Sequence, residues 1–259
     1  MFFDSHCHLD ADELARDLAH VLQRAEQAGV CHFVVPGVHP DGWPAMAQMA
    51  RENPNISVAY GVHPEHAELW DDVLQKRLLE LAPQGVAIGE IGLDYLLPVS
   101  RERQAEAFRA QLRLAQEVQL PVIIHCRRAF ADLLTIIRQE IRGEVAGVMH
   151  AFSGSVEIAH ACRQLGLLIG VAGPVTFTNA VRSRQVVRSL PLEALLLESD
   201  APDLTPEPKR GSGNEPANLP LIAQQVADIH GASIGEVARQ TTVNACQLFD
   251  LRGNSSKIV

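Results

Sequence analysis

Eight apolar runs of strand length recur along the chain, separated by stretches with helical periodicity, and this recurrence limits the possible folds more than any other property of the sequence. The runs cover residues 2–6, 32–35, 57–61, 86–90, 121–125, 147–150, 167–171 and 194–198. Helix candidates between or after them include 12–27, 101–118, 129–141, 156–165, 180–190, 219–229 and 234–249. In the first, Leu14, Leu18, Val21, Leu22 and Ala25 fall on one stripe, and Gly29 provides a residue tolerant of the left-handed turn that ends a helix. The runs are nearly continuous in apolar residues rather than alternating, the pattern of strands buried on both faces of a parallel sheet. Eight strand–helix units in 259 residues predict an α/β protein, a (β/α)8 TIM barrel forming a single domain over 1–259. An open doubly wound sheet is the competing architecture, and the lack of a dinucleotide fingerprint after the first strand weakens it. The tract 201–216, with Pro202, Pro206, Pro208 and Pro216, is read as a site loop after the last strand. The tail 253–259 is expected to fray.

Composition narrows the class. Hydrophobic residues make up 47% of the chain, enough for a large core and against intrinsic disorder. The five cysteines, at 7, 31, 126, 162 and 246, form no CxxC pair. No apolar run reaches the roughly 18 residues of a membrane span, so no membrane association is expected. The start, Met1-Phe2-Phe3-Asp4, lacks the basic and apolar stretches of a secretory leader, so the expected location is cytoplasmic. A formal charge of −9 argues against a broad basic face that grips a nucleic-acid backbone.

In a barrel the chemistry sits at the C-terminal ends of the strands. The first run leads into Asp4-Ser5-His6-Cys7-His8, and strand alternation places Asp4, His6 and His8 on one face. Glu90, His125 and His150 end the fourth, fifth and sixth runs, and Asp200 follows the eighth. Four histidines and two carboxylates therefore converge on one mouth. One such histidine is ordinarily a hydrogen-bonded structural residue; six ligand-type residues at strand ends point to metal. Imidazole and carboxylate without thiolate suit divalent ions such as Mg, Mn, Zn or Ni in an open catalytic site. Six donors exceed the three of a single catalytic zinc, which suggests two ions sharing a bridging carboxylate.

At these positions the sequence resembles the TatD family of metal-dependent deoxyribonucleases, within the wider amidohydrolase-like barrels. The resemblance rests on Asp4-Ser5-His6-Cys7-His8-Leu9, Gly61-Val62-His63-Pro64, 89–95 (GEIGLDY), 121–127 (PVIIHCR), 150–154 (HAFSG), 197–202 (LESDAP) and Asn214-Glu215-Pro216, which occur in family order from end to end. It implies that His6, His8 and Glu90 hold one metal, that His125 and His150 hold the second with Glu90 bridging, and that Asp200 is a ligand that also orients or deprotonates the attacking water. It further implies hydrolysis of phosphodiester bonds in DNA or oligonucleotides with two divalent ions. Gly211-Ser212-Gly213 stands where the family often has basic residues, a departure that bears on phosphate contacts.

Around this set, Asp4 and Glu198 are expected either to fix the imidazole ligands from behind or to serve as buried helix-cap or strand-end acceptors, and Asp94 to be a ligand, to support one from behind or to hold a loop turn. His63, Arg127 and Asn214 are expected at the substrate, Arg127 through paired hydrogen bonds to a phosphate. Phe152 and Tyr95 are candidates to stack on a base or to fill a loop core. Arg101, Arg103, Arg109 and Arg113 read as a solvated helix face, and Cys7 and Cys126 as buried and structural. The engagement of a few phosphates, without an obligate protein partner, is the expected mode. The competing function is hydrolysis of small cyclic amides, lactones or other esters on the same scaffold. Many such relatives bridge their metals with a modified lysine, and here Glu90 occupies that place while Lys76, Lys209 and Lys257 lie elsewhere.

Overall fold

The eight runs pair side by side, all parallel and in sequence order, in a computed structural model of the chain that describes residues 1–251. They are β1 (Phe2–Asp4), β2 (Val30–Pro36), β3 (Ile56–Tyr60), β4 (Ala87–Asp94), β5 (Val122–Arg127), β6 (Gly147–Met149), β7 (Leu167–Val171) and β8 (Leu195–Leu197). The Ser5 N–H donates to the Leu197 carbonyl at 3.0 Å, joining the two edges and closing a (β/α)8 barrel. One side chain from each strand fills the interior: Phe3, Val34, Ala59, Ala87, Ile123, Val148, Leu168 and Leu196. Ala245, Cys246 and Phe249 plug it from one end.

Ten helices surround the barrel among the described residues: α1 (Asp12–Ala15), α2 (Leu18–Gln27), α3 (Trp43–Glu52), α4 (Asp72–Leu81), α5 (Arg101–Val118), α6 (Phe130–Glu140), α7 (Val156–Gln164), α8 (Val181–Ser189), α9 (Leu219–His230) and α10 (Ile234–Leu248). Their apolar faces bury a second, larger layer against the outside of the strands. The single helix expected over 12–27 is two, because the backbone of Asp17 leaves the helical region (φ −131°, ψ 30°). Aspartate favours such breaks, and its carboxylate here pairs with His20 rather than supporting a continuous turn. No helix of the described residues is long and apolar enough to cross a membrane. The expected frayed tail, 253–259, lies outside the described residues.

Candidate metal centre

Three glycines bring Glu90 to the centre of the mouth. Between Ile88 and Ile91 β4 advances three residues while β5 advances two, from Val122 to Ile124, so β4 bulges at Gly89-Glu90. The Gly37 N–H donates to the Gly89 carbonyl at 3.0 Å, and the Glu90 N–H donates to the Gly37 carbonyl at 2.9 Å, across the end of β3. A side chain on the intervening Gly61 would forbid this, since its Cβ would lie 2.6 Å from the Gly89 carbonyl carbon. The other donors arrive at strand ends held by similar crossings. The Asp200 N–H donates to the His6 carbonyl at 2.9 Å, the His8 N–H to Ala201 at 2.7 Å and the His150 N–H to Ile124 at 2.9 Å.

Glu90 divides its two oxygens between two groups of imidazoles. Its Oε2 lies 3.3 Å from His6 Nε2 and 3.9 Å from His8 Nε2. Its Oε1 lies 3.0 Å from His125 Nδ1, 3.7 Å from His150 Nε2 and 3.9 Å from His63 Nε2. Asp200 Oδ1 stands 3.6 Å from His6 Nε2, 3.7 Å from His8 Nε2 and 3.6 Å from His150 Nε2. The Nε2 atoms of His6 and His8 face each other at 3.2 Å, and the His6 and His150 rings stack with centroids 3.5 Å apart. Donors held about 2.0–2.1 Å from one zinc-sized ion stand roughly 3.3 Å apart, so these spacings suit shared cations.

The charge balance points the same way. Asp4, Glu90, Asp94, Glu198 and Asp200 are buried, whereas no described Lys or Arg is. Buried carboxylates need a compensating cation, and only imidazolium or a bound metal can supply it here. Burial lowers His150, yet Asp200, Glu198 and Glu90 outweigh it and hold its imidazolium up to about 10. Burial and the neighbouring His150 push His6 well below the ordinary range. Two stacked imidazoles are thus driven in opposite directions. Burial raises Glu90, but His150 and His6 override it and keep the carboxylate ionised well below its usual range. Burial lifts Asp200 to about 6. Burial lowers His125 too, but Asp94 and Glu90 raise it above its ordinary value. Divalent cations fit this donor set: they would take over the charge compensation that protons on His150 and His125 otherwise supply.

The expected supporting residues differ in what they touch. Asp94 Oδ2 lies 3.1 Å from His125 Nε2, and Glu198 Oε1 lies 3.3 Å from His150 Nδ1. Asp4 takes the second of the two roles expected for it, a buried acceptor for backbone: its Oδ1 accepts the Ser199 N–H at 2.8 Å and the His6 N–H at 3.4 Å. The His6 Nδ1 has no hydrogen-bond partner among the described residues. Asp4 is two residues before His6, and its carboxylate turns to the barrel seam rather than the ring.

His63 and Arg127 line the mouth, a cavity of about 550 Å3, and Asn214 does not. The Asn214 amide donates to the Ser199 carbonyl at 2.8 Å and to the Asp203 carbonyl, and its oxygen accepts from the Glu215 N–H and Asn218. Asn214 is buried and its bonds are spent on the loop, so the expectation of a substrate contact there is corrected. His63 Nδ1 accepts the Glu65 N–H at 3.2 Å, which leaves the proton of the neutral ring on Nε2, facing Glu90. Burial pushes His63 down to about 4, so the ring is neutral at pH 7. Asp10, Glu13, Glu65 and Asp203 also line the mouth, none of them singled out by motif. Tyr95 hydrogen-bonds Asp132 at 2.6 Å beneath the Arg101 guanidinium, and Phe152 packs on Phe130.

Two glutamines on α5 hold the ends of β3 and β4. Gln111 accepts the Val62 N–H at 2.7 Å and donates to its carbonyl at 3.1 Å; Gln104 accepts the Asp94 N–H at 2.8 Å and donates to its carbonyl at 2.9 Å. Both are buried. Their sequence signal is polarity on the inward stripe of a helix, at a spacing of two turns.

Comparison with known proteins gives the chain its relatives. A family model described as "TatD related DNase" matches residues 3–250. The metal-dependent hydrolase YabD of Bacillus subtilis is 40% identical over 252 residues, covering 96% of this chain and 99% of the relative. The 3'-5' ssDNA/RNA exonuclease TatD of Erwinia tasmaniensis is 39% identical, covering 96% of this chain and 100% of its own length. The crystal structure of YJJV, a TatD homolog from Escherichia coli, superposes with a TM-score of 0.90 at 35% identity, covering 96% of this chain and 98% of that one.

Proposed function

The chain belongs to the TatD-related DNase family, and from that premise we infer that it is a metal-dependent nuclease, a deoxyribonuclease that cleaves single strands at the barrel mouth. The observation that carries the reading is the placement of Glu90, with one oxygen toward His6 and His8 and the other toward His125, His150 and His63. Two divalent ions, of Mg, Mn, Zn or Ni type, are proposed there. His6, His8, Glu90 and Asp200 would hold one, and Glu90, His125 and His150 the other. When bound, such ions offset charge developing on phosphoryl oxygens and lower the pKa of an attacking water.

The chain's own residues do the rest. Asp200 Oδ1 lies among three imidazoles and accepts the proton of the attacking water. His63, neutral and protonated on Nε2, donates a hydrogen bond to a phosphoryl oxygen. Arg127, the one Lys or Arg among the described residues lining the mouth, grips a further phosphate through two parallel hydrogen bonds. Asp94 and Glu198 fix the orientation of the His125 and His150 rings. The acidic rim of Asp10, Glu13, Glu65 and Asp203 opposes wrapping of a long duplex, so the enzyme engages a few phosphates. The lysine-bridged alternative is not favoured, because a carboxylate stands at the bridging position.

The test is cleavage of 3′-labelled single-stranded DNA by chelator-stripped protein reloaded with each metal. Wild type is expected to cleave only when loaded, and Glu90→Ala to lose activity by about a thousandfold or more together with bound metal. Equal cleavage by wild type and Glu90→Ala would overturn the reading.

A further inference from the structure

A second cavity, of about 470 Å3, opens on the same end of the barrel as the metal centre. It lies between the outer face of β7 and α8, with Ile169, Val171 and Val186 as walls, and the loops after β6, β7 and β8 supply Phe152, Phe177 and Leu204. Its size is within the range of small-molecule sites. Only a thin partition separates it from the donors. Ala151, directly after His150, lines the cavity while its N–H donates to Glu198 Oε1 at 2.5 Å. Gly170 also lines it and touches the Glu198 carboxylate closely enough that a Cβ would stand 2.6 Å from both oxygens.

The lining is apolar and aromatic with few polar groups. Phe177 carries the Arg210 guanidinium 4.2 Å from its ring centroid, which steadies the ring from one side. The Glu207 N–H donates to Thr176 Oγ1 at 2.8 Å, tying the loops after β7 and β8 together. Ser183 lines the cavity, and its Oγ is buried with no hydrogen-bond partner among the described residues. Such an orphaned hydroxyl is costly unless something fills its valence. A flat ring with apolar faces and a polar edge matches this combination; Arg182, the cation in the lining, is exposed, so a phosphate would find no buried charge among the described residues, and an alkyl chain would leave Ser183 unanswered.

We propose that this cavity is a nucleobase subsite, taking the heterocycle of the nucleotide whose phosphate lies at the metal centre, an assignment that rests on the nuclease reading. Proteins that hold single strands pair a backbone-gripping centre with aromatic platforms for the bases. Here the two are neighbours through His150-Ala151-Phe152, so a phosphate at the centre brings its base to the cavity lip. Ser183 hydrogen-bonds the edge of the ring, and Phe152 and Phe177 contact its faces.

Three measurements on the metal-loaded enzyme test this: titration with free thymidine followed by NMR, the KM for a tetrathymidylate, and the KM for a tetramer of the same phosphates with abasic sugars. Wild type is expected to bind thymidine and to favour the base-bearing tetramer about tenfold or more in KM. Ser183→Phe, which fills the cavity, is expected to abolish thymidine binding and erase the preference while leaving cleavage of the abasic tetramer unchanged. Phe177→Ala, on a loop, serves the same purpose if Ser183→Phe does not fold. Equal thymidine binding by wild type and variant, or displacement from the cavity by a fatty acid but not by thymidine, would overturn the proposal. Failure of wild type to cleave either tetramer would instead overturn the nuclease reading, with the thymidine titration still deciding the cavity.

Discussion

Gly170 lies so close to Glu198 that a Cβ on the glycine would stand 2.6 Å from both carboxylate oxygens. Because Glu198 faces His150 Nδ1 at 3.3 Å, the absence of a side chain at residue 170 sets the orientation of a ring whose Nε2 faces the centre. Gly170→Ala is therefore expected to cost about 1–3 kcal/mol of stability through overpacking. It is also expected to weaken metal binding or activity by about 10–100-fold, the usual cost of losing a group behind a ligand. Metal titration beside urea denaturation checks both, and wild-type metal affinity in the folded variant would show that Glu198 does not orient His150.

His63 tests the distinction between ligand and donor. With Nδ1 accepting the Glu65 N–H, its Nε2 carries the proton, as the proposed hydrogen bond to a phosphoryl oxygen requires. His63→Ala is expected to keep the full complement of bound metal and raise KM about 10–100-fold, the worth of a hydrogen bond to a charged group. Loss of one metal equivalent from His63→Ala, by elemental analysis, would instead make it a ligand.

The pH dependence of the metal-free protein follows from His150. Its imidazolium is raised in the folded state from an ordinary 6.5 to about 10, so it contributes stability that is fully present below 6.5 and lost as pH rises toward 10. Over the same window Asp200, raised to about 6, is already ionised, His63, lowered to about 4, is already neutral, and Asp4, raised by burial to about 7, completes its ionisation at the start. His125, which burial lowers but Asp94 and Glu90 raise above its ordinary value, adds to the loss in the same sense as His150. Chelator-treated protein is expected to lose thermal stability between pH 7 and pH 9, with a slope of up to about 1.4 kcal/mol per pH unit. The metal-loaded protein should not show this slope. A flat profile for the stripped protein in differential scanning calorimetry would mean that His150 carries no such proton.

Gly61 guards the bulge in β4. Gly61→Ala places a Cβ 2.6 Å from the Gly89 carbonyl carbon, where backbone cannot yield as a side-chain end does. The expected cost is about 2–4 kcal/mol, with activity lost even where the protein remains folded, since Glu90 moves with the bulge. A crystal structure of the variant with Glu90 undisplaced and full activity would refute the coupling.

Much of the barrel is legible in the sequence because burial on both faces writes long apolar runs. The run 167–171 coincides with β7, and 101–118 with α5, where Ser100 caps the helix by accepting the Arg103 N–H. Strand ends are less legible. The first run reads on to His6, but β1 stops at Asp4, because Ser5 and His6 leave the ladder with β2 for single hydrogen bonds across the closing seam. β4 runs past Glu90 to Asp94 because the bulge restores its pairing with β5 from Ile91 onward. No local pattern announces a bulge that depends on glycines from three strands. In the site, the histidines and carboxylates at the mouth stand out through their positions at strand ends, and the structure brings all six together. Asn214 reads as a site residue from its motif, yet nothing in that motif shows that its amide closes a loop onto Ser199 and Asp203. The aromatic cavity beside β7 is invisible in sequence, being made by the fit of four separate segments.

The glutamines of α5 make that helix a gauge block for the chemistry. Gln111 and Gln104 are seven residues apart on one rigid rod, and they seat the chain at Val62, next to His63, and at Asp94, against His125. The relative height of two groups on different strands is thereby copied from the pitch of a helix in the outer ring. Arg109 and Arg113 on the same helix pair with Glu140 of α6. The helix is thus fixed to α6 on its outer face while its inner face holds both seats.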